Sequence, residues 1–483
     1  MGRSSRPRKS ASSLSPAIHD ATFQRALATR SGNLADGERW SVNYTLIYGS
    51  ERGRSRGAMI LKIRFVAIAV VCCSTGAGLT AQKAAPFPAS EAETTVQELL
   101  QDERVREALA SARASEERTI EDQIRFCEVP APPFGEGLRG ERLRQAFVGV
   151  GLENIRVDRV GNVLGERPGT AAGPRLVVAT HLDTVFPEGT DVTVTRNRAV
   201  LQGPGIGDNC RGLAVLVAIA REIADVPTRG TIVFVANVGE EGLGDLRGVK
   251  TLFAETLQGR IDRFVSIDGA GIHITRVAVG SHRYKVTFSG PGGHSYGAFG
   301  MANPAHALGR AVAKIADLHV PSIPQATFNV GRVGGGTSVN SIPFEAWMEV
   351  DLRSSDPAAL ADLDRQFQEA VDSAALEEND RWGRIEEVTV VKELVGDRPA
   401  GSTPVDAPIV QVARAVAGAL GIGVSLGEGS TDANLPMSLD IPAITVGAGG
   451  RGNGAHSLTE SFDTTDSWRG TQNAVLLTLA LAR

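Results

Sequence analysis

Cysteine is scarce in this chain, with four residues in 483, two of them adjacent at Cys72 and Cys73. That excludes a scaffold stapled by many disulfides. No apolar run approaches the roughly 18 residues of a membrane-crossing helix, which excludes a multi-span membrane protein. Aromatic residues contribute only 5%. There is no internal repeat of fixed period and no long low-complexity segment after residue 95. Neither sign of charge dominates: 50 Lys+Arg stand against 55 Asp+Glu, a net charge of −5. Hydrophobic residues at 42% exclude an intrinsically disordered or collagen-like chain. Glycine is the abundant residue, at 55, and predicts many tight turns and glycine-rich loops. The length allows roughly two to three domains.

The charge is unevenly placed. Residues 1–58 carry ten Lys/Arg, four Asp/Glu and ten serines, and Lys62 and Arg64 raise the balance before residue 82 to +8. The remainder is therefore −5 − 8 = −13. A body that acidic repels phosphates, so nucleic acid is excluded as a partner. From Met59 the sequence MILKIRFVAIAVVCCSTGAGLTAQ places two cations before a short apolar run and then small residues, the layout of a secretory signal peptide. A buried strand or a short anchor is the plainer reading of the same run. If 59–81 is a signal, residues 1–58 are a disordered extension or a mis-assigned start; their Ser/Arg-rich composition also fits a transit peptide. The expected location is secreted or periplasmic if that signal is used, and cytoplasmic otherwise. Cys127 and Cys210 would then be the remaining cysteines, and both read as buried core thiols.

Residues 82–94 read as an Ala/Pro-rich linker, followed by a helical stretch from about residue 95 to 126. Four apolar, β-branched runs follow: RLVVAT (175–180), TIVFVANV (231–238), RFVSID (263–268) and PAITVGAG (442–449). Continuous apolar runs alternating with helices such as 211–224 predict strands buried on both faces, hence an α/β fold with a mostly parallel sheet. Between 276 and 394 the pattern becomes alternating, as in HRYKVTFSG and EAWMEVDLRS, with helix-like stretches at 303–318 and 356–376. This predicts an inserted α+β domain, an antiparallel sheet plus two helices, dividing the main domain into 95–275 and 395–483.

Potential metal ligands end these runs: His181, Glu240-Glu241, Asp268 and, beyond a glycine-rich loop, His456. Asp208 precedes the helix starting near residue 211. A lone Asp or His at a strand end is more often a turn former or a cap. Five together are harder to dismiss, because burying that many carboxylates without a cation costs several kcal/mol each. In open α/β sheets such positions converge at the carboxyl ends of the strands. Two His and three carboxylates suit zinc, cobalt or manganese. With one carboxylate shared, they make two three-ligand sites, which argues for a two-metal hydrolase. Of Glu240 and Glu241, one serves as ligand and the other as general base, since neighbours on an extended segment point opposite ways. Asp183 stands two residues from His181, close enough to orient its ring.

The set HLDTV (181–185), GPGIGDN (203–209), GEEGLG (239–244), SIDG (266–269), GPGGHS (290–295), SVNSIP (338–343) and GAHS (454–457) resembles the M20 family of zinc metallopeptidases, the group of carboxypeptidase G2, aminotripeptidase and acetylornithine deacetylase. The resemblance runs from residue 128 to the C-terminus. It implies two Zn²⁺ (Co²⁺ or Mn²⁺ being possible substitutes), with Asp208 bridging, His181 and Asp268 completing one site, and Glu241 and His456 the other. It implies Glu240 as general base and Asp183 as the partner of His181. The inserted domain would be a dimerisation lid making a homodimer, His294 would reach across the dimer to the oxyanion, and Asn340 and Arg353 would hold the substrate's carbonyl or carboxylate. Asp208-Asn209-Cys210-Arg211-Gly212 departs from the relatives' Asp-Asp-Lys-Gly-Gly: a second carboxylate is lost, while Arg211 keeps a cation. Asp rather than Glu at 268 tilts towards exopeptidases of small peptides. An N-acyl-amino-acid deacylase is the alternative, and an inactive metal-binding scaffold the remote one. A nucleotide-binding module is excluded, because Asp208 would occupy the phosphate position and the P-loop Lys-Ser/Thr pair is missing.

Overall fold

The four apolar runs form neighbouring strands at the heart of the molecule, whose computed structural model describes residues 90–384 and 387–483. The segments 1–58 and 59–81, read above as extension and signal, lie outside the described residues. In the central nine-stranded sheet the order is Glu153–Val157, Val163–Arg167, Thr231–Asn237, Arg175–His181, Arg263–Ile267, Ala443–Val446, Ile274–Ala278 and Gly401–Ser402, with Leu426–Gly429 also paired to Ile274–Ala278. The inner four, Thr231–Asn237 to Ala443–Val446, are mutually parallel, and antiparallel partners flank them on both sides.

Side chains alternate between the two faces of a strand, and here both faces are covered. Leu176, Val178, Ile232, Phe234, Val265 and Ile267 join one hydrophobic cluster, with the helices Cys210–Glu222, Pro408–Ala419 and Trp468–Leu481. Val177, Ala179, Val233, Val235 and Phe264 join another, on the opposite side, with Leu246, Val249, Leu252 and Met437. Each fully buried Val, Leu, Ile or Phe contributes about 1.5–3 kcal/mol. That two-sided burial is why the runs are uninterrupted.

A separate four-stranded antiparallel sheet has the order Ala326–Gly335, Glu345–Ser354, Gly280–Ser289, Thr389–Arg398. Helices Pro304–Ala316 and Pro357–Arg381 cover one of its faces, packing Ala311, Ile315 and Phe367 against Val286, Phe288, Met348 and Val350. The alternate residues, among them Arg283, Asp351 and Arg353, occupy the other face. Among the described residues no helix is long and apolar enough to cross a membrane.

Two local expectations are corrected. Helix begins at Glu91, inside the stretch read as linker, because Ser90 and Glu93 form a reciprocal capping box. The helical stretch expected over 95–126 consists of three helices, Glu91–Gln101, Glu103–Ala114 and Glu116–Cys127. Asp102 breaks the first junction, adopting an extended conformation while its side chain accepts the Arg104 N–H. Cys127 and Cys210 are not free thiols but a disulfide. They are 83 residues apart in sequence, yet the packing of helix Glu116–Cys127 beside Cys210–Glu222 brings their Cα atoms to 5.3 Å.

Candidate metal centre

The carboxyl ends of the parallel strands deliver the candidate ligands. His181 is the last residue of Arg175–His181, Asp268 follows Arg263–Ile267, and Glu240 and Glu241 lie on the turn after Thr231–Asn237. That turn needs Gly239, whose φ of 68° is in the left-handed region that glycine enters freely. A small sheet, Arg451–Asn453, Ser461–Asp463, Val200–Gln202 and Thr195–Asn197, ties the glycine-rich loop bearing His456 to the loop bearing Asp208.

Three three-residue clusters result: His181/Asp208/Asp268, Asp208/Glu241/His456 and His181/Glu240/Glu241. Nε2 of His181 is 3.2 Å from Asp208 Oδ1 and 3.5 Å from Asp268 Oδ1. Nε2 of His456 is 3.2 Å from Asp208 Oδ2 and 3.2 Å from Glu241 Oε1. Asp208 thus offers one oxygen to each of the first two clusters. The donor set suits two cations. His181 Nδ1 lies 3.0 Å from the Asp183 carbonyl oxygen, which fixes a proton on Nδ1 and makes Nε2 the nitrogen that faces the acidic groups and would ligate a metal.

Titration follows from this crowding. Burial pushes the Glu241 carboxyl up to about 7 and that of Asp268 up to about 6. Burial acts the same way on Asp208, but hydrogen bonds from His181 and His456 hold it well below the usual range. His456 is pushed up to about 10 by Asp208 and Glu241. For His181, burial opposes the charge, yet Asp208 and Asp268 overcome it and raise the ring well above its ordinary value. The raised histidines stabilise the folded, metal-free chain below their unfolded pKa of 6.5, and His456 loses that contribution as pH climbs to about 10. The raised carboxyls ionise more readily in the unfolded chain, so they too make stability fall with rising pH, up to about 7 for Glu241. Metal-free protein is therefore expected to melt lower at about pH 9 than at about pH 6. Zinc requires the same groups deprotonated, so the gain in melting temperature on adding zinc should be larger at pH 9. A thermal unfolding series with chelator and with zinc checks both, and a zinc effect that shrinks with pH would contradict it.

The remaining predicted residues fall in three places. The buried Asp183 carboxylate sits 3.8 Å from His181 Nδ1 and accepts the backbone N–H groups of Glu240 (3.0 Å) and Glu241 (2.8 Å) instead. It braces the turn, while its carbonyl orients the ring. His294 and Asn340 come together in a two-stranded ribbon, Gly293–His294 with Ser341–Ile342, where the Ser295 N–H donates to the Asn340 carbonyl. Both are exposed and neither belongs to the clusters. Arg353 lies on the uncovered face of the antiparallel sheet, its Nε 2.6 Å from Asp351, which also meets Arg283 at 3.2 Å. Arg283 in turn donates to the Gly242 carbonyl beside Glu241.

Residues 177–480 match the model of peptidase family M20/M25/M40, more than half of the chain. The chain belongs to this family. It is accordingly a hydrolase. Over 246 residues it is 29% identical to a succinyl-diaminopimelate desuccinylase of Leptothrix cholodnii, covering 46% of this chain and 64% of that enzyme. The chain therefore spans less than two thirds of that relative. It is 26% identical over 305 residues to an acetylornithine deacetylase of Klebsiella pneumoniae, covering 60% and 76% of the two chains. The fold is shared with aminopeptidase PepT of Bacillus cereus, at a TM-score of 0.61 and 20% identity over 76% of this chain and 99% of that one. A Staphylococcus aureus tripeptidase gives 0.62 and 20% over 76% and 98%.

The M20 chain also uses residues that sequence reasoning passed over. The Glu460 carboxylate accepts the N–H groups of Gly205, Gly207 and Asp208 at 2.8–3.0 Å, fixing the loop that presents Asp208. Asn209, where a second acid is common, is a buried helix cap: its oxygen accepts the Gly212 N–H, and its NH₂ donates to Thr180 Oγ1 and the Ile267 carbonyl. A carboxylate could not donate either bond. Arg211 does not face the clusters; it is buried, paired with Glu116 at 2.9 Å and bonded to the Ala448 and Ser467 carbonyls. Arg398 does face the site, with Nη1 2.9 Å from Glu240 Oε1. Burial opposes its charge, but Glu240, Asp432, Glu241 and Asp245 raise its pKa nonetheless. No local signal marks Glu460 or Arg398, because the loop that Glu460 holds lies 252–255 residues away and Glu240 lies 158 residues from Arg398.

Proposed function

We propose that this chain is a dinuclear zinc exopeptidase of small peptides. The observation that carries the reading is Asp208, with one carboxylate oxygen 3.2 Å from Nε2 of each of two histidines and a further carboxylate in each cluster. His181 and Asp268 would hold one ion, Glu241 and His456 the other, with Asp208 between them. When bound, such ions lower the pKa of water and polarise the scissile carbonyl. Glu240 takes the water's proton and delivers it to the leaving amine. His294 suits the oxyanion as a donor: its Nδ1 accepts the Tyr296 and Gly297 N–H groups, which leaves the proton on Nε2. In this reading His294 acts across a homodimer formed through the 276–394 domain, Asn340 holds the substrate carbonyl, and Arg353 holds a substrate carboxylate. The Cys127–Cys210 disulfide supports export through the 59–81 signal, since such bonds persist in oxidising compartments.

The second reading is an N-acyl-amino-acid deacylase on the same centre, favoured by the sequence likeness to a desuccinylase and a deacetylase. Elemental analysis with a panel of free and N-blocked dipeptides separates the two. The expected result is about two zinc per chain and cleavage of free peptides. Cleavage of blocked substrates alone would move the chain to the deacylases. Stoichiometric metal without turnover on either class would leave an inactive scaffold, and protein that takes up no metal would end the two-metal reading.

A further inference from the structure

Arg398 is the last residue of the edge strand Thr389–Arg398 of the antiparallel sheet, yet its side chain is buried against the catalytic turn of the parallel sheet, only 4% exposed. Its guanidinium grips Glu240 twice. Nη1 is 2.9 Å from Oε1, and Nη2 donates to the Glu240 backbone carbonyl. Nη1 also meets Ser430 Oγ at 3.2 Å. A rigid fork bonded to the main chain and the side chain of one residue fixes the torsions between them. It also distinguishes the two carboxylate oxygens: Oε1 is occupied, while Oε2 has no hydrogen-bond partner among the described residues.

The arrangement is a poor stability device. Burying a guanidinium is expensive even when it is paired, and Arg398 Nε is buried with no partner among the described residues. Nor is Arg398 needed to hold the antiparallel sheet against this turn. Arg283 Nη1 donates to the Gly242 carbonyl at 2.7 Å, the Asp397 N–H to Asp245 at 2.8 Å, and Lys250 Nζ to the Asp397 carbonyl at 2.8 Å. Those contacts stitch the two sheets together on their own.

We propose that Arg398 is a positioning residue for the general base. It pins Oε1 of Glu240 so that Oε2 is the oxygen that receives the water's proton. The assignment rests on Glu240 being the base. Because the base acts in the chemical step, losing its orientation lowers kcat and leaves KM, metal content and fold in place.

The test is steady-state kinetics on zinc-loaded protein, with whichever free or N-blocked dipeptide the wild type cleaves. R398M is expected to lower kcat by about 100-fold, the scale of a 1 Å misplacement, with KM within about threefold and zinc content unchanged. R398K, which can reach Oε1 with one ammonium but cannot fork, should regain about tenfold of that loss. In an E240Q background R398M should cost nothing more, because a residue acting only through Glu240 has nothing left to position. A kcat for R398M within about twofold of wild type would overturn the proposal. So would a loss carried by KM alone, or an equal further loss in the E240Q background. Should R398M fail to fold, R398K decides: a kcat loss at unchanged KM supports the proposal, and wild-type kcat overturns it. An active E240Q sinks the base assignment and this proposal with it. A dead E240Q beside an unaffected R398M or R398K sinks the proposal alone.

Discussion

Glu240→Gln is expected to reduce kcat by about 10³-fold, within the range general-base catalysis contributes, while the protein keeps its fold and zinc content. The amide is isosteric with the carboxylate and still offers an oxygen to Arg398, so the contact at 2.9 Å can survive. The Asp183 carboxylate holds the turn through backbone N–H groups, which the substitution does not touch. What disappears is a group able to take a proton. Metal content and substrate affinity should therefore stay near wild type while turnover collapses. The variant also separates the two neighbours: Glu241 contacts His456 at 3.2 Å, so its replacement should cost metal as well as activity. Zinc analysis beside kcat and KM on both variants is the measurement. A Glu240→Gln protein that turns over at a tenth of wild type or better would remove Glu240 from the base role.

What could be read from the sequence had a local cause. The strands over 175–181, 231–237, 263–267 and 443–446 were legible because both their faces are buried, which forces a continuous apolar run. His181, Asp268 and the Glu240-Glu241 pair stood out because they end those runs, and chain direction alone places such ends on one rim of a parallel sheet. Partnerships made across the fold left no comparable trace. Cys127 and Cys210 look like two ordinary apolar positions until two helices pack side by side. Arg211 looked like a cation kept beside the metal loop, yet helix geometry turns it towards Glu116. Asp183 was legible by its closeness to His181, but which of its atoms reaches the ring depends on the backbone path after the strand. Arg398 and Glu460 needed the tertiary structure outright.

Asp208→Ala is the second substitution with a large expected effect, and its force lies in comparison with Asp268→Ala. Two of the three three-donor clusters contain Asp208, the third being His181/Glu240/Glu241, whereas Asp268 belongs to only one. Removing Asp268 leaves the Asp208/Glu241/His456 cluster whole, so one of two zinc ions should remain. In the two proposed sites, removing Asp208 leaves His181 with Asp268, and His456 with Glu241, two donors each, and His181/Glu240/Glu241 is the three-donor group that remains among the described residues. Zinc sites need three or four protein ligands, so with Glu240 serving as base rather than ligand both ions should be lost together and turnover should fall by at least about 10³-fold. The truncation also removes the acceptor that helps keep both imidazoles charged in metal-free protein. The fall in metal-free stability expected with rising pH should therefore flatten. Zinc stoichiometry is the deciding readout: near zero for Asp208→Ala and near one for Asp268→Ala fits a shared carboxylate. Equal stoichiometries in the two variants would mean that Asp208 does not bridge, and that two of the acidic groups belong to a single ion.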